Sequence, residues 1–146
     1  MKSQVFLRYA HAALAVALAA FFIKAGVKNF NPKIKEVDKA AVVQAIETKM
    51  YNSPETYLLT TNSMRSSNFI YIIGAFEILA AVLICIPKTR LLGLCVLLPV
   101  IFNIFVLHVT MDNRMHENVE TGILLSITIL LMVYYRQKIA LIWQRL

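Results

Sequence analysis

Only two cysteines occur in this chain, Cys85 and Cys95. They form no Cys-x-x-Cys redox pair, no haem-attachment signature and no disulfide framework of a small secreted domain, and they read as small buried hydrophobes. The four glycines build neither a phosphate-cradling loop nor a nucleophile elbow. No sequence repeat or low-complexity tract is visible. Charge is also scarce. Charged residues make up 16% of the chain and hydrophobic residues 59%, too apolar for an ordinary soluble domain.

The hydrophobic residues come in long blocks, where a soluble helix would carry a single apolar stripe. That pattern predicts an integral membrane protein, all-α, with 146 residues forming one domain. The net charge of +7 could point to nucleic acid. The cations lie between apolar blocks, however, with no basic face and no nucleic-acid motif, so anchoring to anionic headgroups is the better reading.

Four spans are expected, at about 5–27, 69–86, 91–110 and 121–135. The first starts with Lys2 and Arg8 and is rich in alanine, which would let neighbouring helices approach closely. A basic start also suits a signal peptide, with Ala17-Leu18-Ala19 as its cleavage site, but the apolar run continues through Phe21-Phe22-Ile23 and favours a span. Between the first two spans lies a long loop, about 29–68. Its apolar positions Ile34, Val37, Ala41, Val42, Ala45, Ile46 and Met50 predict an amphipathic helix over 33–51 lying on the membrane. Ser53-Pro54 then reads as a cap and first-turn proline of a second short helix. The architecture predicted is a four-helix transmembrane bundle with an amphipathic helical loop between helices 1 and 2.

Both termini share one side of such a bundle. That side carries Lys2, Arg8, Lys88, Arg90, Arg136, Lys138 and Arg145 and no acid, and the short turn Pro87–Arg90 outweighs the loop 112–120, whose only Lys or Arg is Arg114. The positive-inside rule then places both termini in the cytoplasm. Tyr134, Tyr135 and Arg136 mark the end of the last span, and the tail with Trp143 is expected to rest on the headgroups.

Polar residues inside apolar spans are costly, so each needs a partner or a purpose. Glu77 falls about 12 Å into the second span and close to the midplane of a bilayer. Asn103 lies about 20 Å up the third span at a comparable height. Lys24 could reach toward them or snorkel outward. His108, Asp112 and Glu120 crowd the outer rim, while Arg8 and His11 mark the cytoplasmic end of helix 1. The functional reading is an intramembrane polar site of Glu77, Asn103, His108 and Lys24. The structural reading makes Glu77 and Asn103 ties between helices. Pro99 frees the carbonyl of Cys95 and predicts a kink below Asn103. His108, Asp112, His116 and Glu120 recur every four residues and carry ligand types that suit zinc. Asp112-Asn113 reads as a helix end, however, which breaks that face, so no metal is predicted.

Certain residues resemble the DoxX-like family of four-span bacterial membrane proteins. They are Arg8, Ala25-Gly26 before Phe30, Gly74-Ala75-Phe76-Glu77-Ile78-Leu79, and Leu98-Pro99-Val100 with Asn103-Ile104-Phe105 and His108. One departure is Asn29, which stands where the family usually has a lysine, with Lys28 one position earlier. The resemblance implies a four-helix membrane bundle in the bacterial inner membrane. It also implies an association with respiratory, thiol-related or quinone-linked redox complexes.

No complete catalytic constellation is present. The first expectation is therefore an accessory or scaffold subunit of a membrane complex, partnered by other membrane subunits or by its own copies. The alternative is a quinone- or lipid-handling oxidoreductase subunit with an outer-leaflet polar pocket around Glu77 and Asn103. A small oligomeric transporter ranks third. The residues themselves specify no cofactor; quinone or lipid belongs to the alternative.

Overall fold

The computed structural model describes residues 2–144. Arg145, counted above among the terminal cations, and the side chain of Lys2 lie outside the described residues. Within them the chain is all-α, with seven α-helices, one π-helical turn and no strand. Three helical stretches are long and apolar enough to cross a membrane: Val5–Asn29, Arg90–Asp112 and Met115–Val133.

The first of these belongs to α1 (Lys2–Asn29). The loop contains α2 (Lys39–Glu47) and α3 (Pro54–Ser66), and then α4 (Phe69–Cys85) follows. With 17 residues, α4 reaches spanning length only together with α3, from which it bends by 85°. The bend falls at Asn68, whose φ of 62° is a left-handed conformation that asparagine tolerates. Next comes α5 (Arg90–Leu107), prolonged by the π-turn His108–Asp112. Last are α6 (Met115–Val133) and α7 (Arg136–Trp143).

Helix α1 packs on α4, α4 on α5, α5 on α6, and α6 returns to α1. Their shared core is built from small and branched residues. Ala15, Ala19, Ala80 and Ala81 are fully buried beside Phe22, Ile84, Leu94, Leu97 and Leu131. Small side chains at these contacts bring helix backbones close, where van der Waals packing does the work that hydrophobic burial does in water. Outward-facing Phe6, Val16, Leu79, Phe102 and Leu130 stay exposed, as suits helices solvated by lipid.

Three expectations need correcting. The amphipathic helix predicted from residue 33 starts only at Lys39, because Asp38 caps it by accepting from the amides of Ala40 and Ala41. Residues 32–38 are not helical; the amide and carbonyl of Lys35 are instead tied to the Asn62 side chain on α3. That helix also stops early. Lys49 turns left-handed, with φ 58°, and Met50 N–H closes onto the Ala45 carbonyl. The polar loop expected at 112–120 is mostly helix, since α6 begins at Met115, six residues ahead of the predicted span. The break is confined to Asn113 and Arg114, with Asn113 left-handed at φ 55°. Ser53 and Pro54 do what their order predicts: Ser53 forms a capping box with Thr56 and Pro54 takes the first turn.

Candidate functional site

Two helical repeats of the same form face each other where α1 crosses α4. Gly26-x-x-Asn29 on α1 meets Gly74-x-x-Glu77 on α4, each pair three residues apart and so on one face of its helix. The backbones nearly touch. A Cβ built on Gly26 would stand 2.7 Å from the Gly74 carbonyl oxygen, and one on Gly74 would stand 2.8 Å from the Gly26 oxygen. This close approach brings the Asn29 amide to Glu77, and Asn29 Nδ2 donates to Glu77 Oε2 at 2.8 Å. Glu77 is only 3% exposed, so that hydrogen bond offsets part of the cost of burying a carboxyl group.

The remaining predicted members of this site lie elsewhere. Asn103 is exposed on α5, and its Nδ2 donates to the Pro99 carbonyl of its own helix at 2.8 Å. The hydrogen-bond partner of Glu77 is Asn29, while Asn103 is satisfied within one turn of its own helix. Helix α5 continues through Pro99 without ending. Lys24 is exposed on α1.

His108 and Asp112 build a second cluster at the end of α5. The π-turn carries Asp112 back under His108, where Asp112 Oδ2 meets His108 Nδ1 at 2.7 Å. Asp112 is fully buried, and Arg114 closes on it with Nε and Nη2 at 2.6 and 2.9 Å, a bidentate pair. The Asp112 carboxylate holds the Arg114 guanidinium above its ordinary pKa by accepting these hydrogen bonds. On the other side of the imidazole, Tyr57 of α3 places its hydroxyl 3.2 Å from His108 Nε2, with the two rings 4.8 Å apart. A neutral imidazole satisfies both contacts at once: Nδ1–H donates to Asp112 and Nε2 accepts from the Tyr57 hydroxyl. The chain carboxylate–imidazole–phenol resembles an acid–base relay in its groups. In its connections it ties α3 to α5 and to the start of α6.

The four-residue face proposed for metal binding is divided by Asn113. His116 leaves the His108–Asp112 cluster and lies 3.5 Å from Glu117, while Glu120 is exposed. Among the described residues no three His, Cys, Asp or Glu side chains converge as a metal group would require. Cys85 and Cys95 are both exposed and unpaired, contrary to the expectation that they are buried. Each sits on an outward helix face, where a small thiol meets lipid as readily as protein.

Arg8 and His11 stand at the opposite end of α1. His11 is buried, with Nε2 3.3 Å from the Leu131 carbonyl and its ring stacked on Tyr134 at 4.1 Å. The same end holds Arg90, which the sequence counts among the headgroup-anchoring cations of the short turn Pro87–Arg90. It is buried instead, its Nε donating to the Ile84 carbonyl at 2.9 Å, so the guanidinium fastens the α4–α5 turn.

Sequence reasoning missed the roles of Asn29, Tyr57 and Arg114. The matching Gly-x-x-polar pairs on the first two spans are a signal that could have found Asn29. Tyr57 has no such signal, because 51 residues and three helix boundaries separate it from His108. Compared with protein-family models, curated proteins and solved structures, the chain matches none.

Proposed function

We propose that this chain is an accessory or scaffold subunit of a membrane complex, of the DoxX-like kind that its apolar blocks resemble. In this reading α1, α4, α5 with its π-turn, and α6 are four spans of one transmembrane bundle. Helices α2 and α3 cap it on the outside of a bacterial inner membrane, with both termini in the cytoplasm. Positive charge supports that orientation, since Arg8, Lys88, Arg136 and Lys138 gather at one end while the acids lie mainly at the other.

One observation carries the choice of a non-catalytic role. The Glu77 carboxyl group is engaged by Asn29 at the last turn of α1, and the second polar residue that a quinone or lipid pocket would need, Asn103, bonds to its own helix. Glu77 with Asn29, and His108 with Tyr57, join one helix to another, which suits a bundle that presents its outer faces to other subunits.

Solubilisation of native membranes in mild detergent, followed by size analysis, tests the proposal. The expected outcome is co-migration with a membrane protein in fixed stoichiometry; recovery as a lone chain at natural expression level would sink it. The Glu77→Gln variant separates the two main readings, because a scaffold retains its assembly and a pocket loses its turnover or ligand. For orientation, cysteines introduced at Lys88 and Lys39 should label from opposite sides of the membrane.

A further inference from the structure

At the end of α1 opposite Glu77, a cleft of about 1050 Å³ opens between α1, the last turn of α6 and the start of α7. It is at the upper end of the roughly 300–1,000 Å³ typical of small-molecule sites. Among the described residues three cations line it, Arg8, Arg136 and Lys138, and no acidic residue does. Its lining is otherwise largely apolar, with half-buried Leu14 and the exposed flanks of Leu7 and Leu130. One side is fixed in advance: His11 is stacked on Tyr134, and Lys138 Nζ lies 5.7 Å above the Tyr135 ring.

A second cleft, about 580 Å³ and lined by apolar Leu98, Ile129, Met132 and Trp143, lies on the other side of α7. Val133 and Arg136 line both clefts. A basic mouth therefore adjoins an apolar groove across a single residue layer. A free anion needs only the first, and an uncharged hydrophobe only the second.

We propose that the two clefts form one binding site for an anionic phospholipid. Its phosphate is held by Arg8, Arg136 and Lys138, and an acyl chain lies past Val133 along the groove toward Trp143. The charge complementarity is one-sided, with three cations facing a ligand whose headgroup bears the only negative charge. Access is direct, since α1 and α6 both qualify as membrane-crossing helices and the site lies at their ends. The inference rests on the chain lying in a bilayer and not on its having protein partners.

Trp143 is the only tryptophan, which gives the test its probe. The full chain is reconstituted into phosphatidylcholine vesicles, and brominated phosphatidylglycerol or brominated phosphatidylcholine is titrated in while Trp143 fluorescence is followed. Brominated phosphatidylglycerol should quench at a mole fraction roughly tenfold lower, given the attraction of several cations for an anionic headgroup. The triple variant Arg8→Gln, Arg136→Gln and Lys138→Gln should lose the preference, and lysines at positions 8 and 136 should keep it. A variant with the same charge change elsewhere, Lys28→Gln, Lys33→Gln and Lys39→Gln, should also keep it. Equal quenching by the two lipids overturns the proposal. So does an equal loss in the charge-matched variant, which would reduce the effect to net charge. Abolition of the preference by millimolar inorganic phosphate would make this a free-anion site and overturn it as well. The vesicles contain only this chain, so the absence of a partner complex would leave the result unchanged.

Discussion

Asn29 and Glu77 are 48 residues apart in sequence and 2.8 Å apart in space, joined where Gly26 and Gly74 let two helices touch. An amide facing a carboxyl group can be replaced on one side without losing the hydrogen bond. Glu77→Gln should therefore change stability by less than about 1 kcal/mol, whereas Asn29→Ala leaves a buried carboxyl group short of its donor and should cost about 1–3 kcal/mol. Thermal unfolding of the single and double variants in detergent measures the difference. A strongly destabilised Glu77→Gln would mean that the charge itself is needed.

The crossing should be sensitive to a single methyl group. Both atoms that would meet a Cβ on Gly26 most closely are at 2.7 Å, and one is the Gly74 backbone oxygen, which cannot rotate away. Gly26→Ala should destabilise by about 1–3 kcal/mol through helix separation. Gly122→Ala is the control, because a Cβ there meets only the Phe105 ring, at 3.3 Å and beyond. It should fall within about 1 kcal/mol of the parent protein, and raise it where the added helix propensity wins.

Loss of the imidazole should release one helix and spare the rest. His108→Ala removes the partner of the Tyr57 hydroxyl and one partner of buried Asp112 while keeping the Arg114 pair. Hydrogen exchange over residues 54–66 should rise well above that over α1 and α4. Equal rises in all three would show that the cluster supports the whole molecule.

Asn103 offers a prediction of opposite sign. Its side chain is exposed and bonded to its own helix, so Asn103→Leu should be neutral or raise the melting temperature of the membrane-embedded protein, a change within about 0.5 kcal/mol. A loss of several degrees would restore Asn103 as a contact between helices or to a ligand.

The apolar blocks located the long helices because only helices satisfy their own backbone in lipid, and an unbroken apolar run therefore has one reading. Helix ends were harder. At α6, hydropathy stops at Thr121 but the helix reaches back to Met115, since half-buried Glu117 and exposed Glu120 are good helix formers that need no apolar environment. Over 33–38 the error runs the other way: apolar spacing fits a helix, yet Asn62, distant in sequence, holds Lys35 in a non-helical segment. Depth arithmetic set Glu77 and Asn103 at one height but carries no information on which face of a helix a residue occupies. Only the glycine spacing does, and it points to Asn29.

The Gly26–Gly74 crossing also sets an order of assembly. At roughly 5–20 residues per second, the 48 residues between Asn29 and Glu77 take about 2–10 s to synthesise. Helix α1 thus enters the membrane without the helix it will pack on most closely, and its glycine face waits open. During that interval any other helix with a small-residue face can occupy it. The time at which α4 emerges, set by the length of the loop holding α2 and α3, determines how long α1 is available to a competitor.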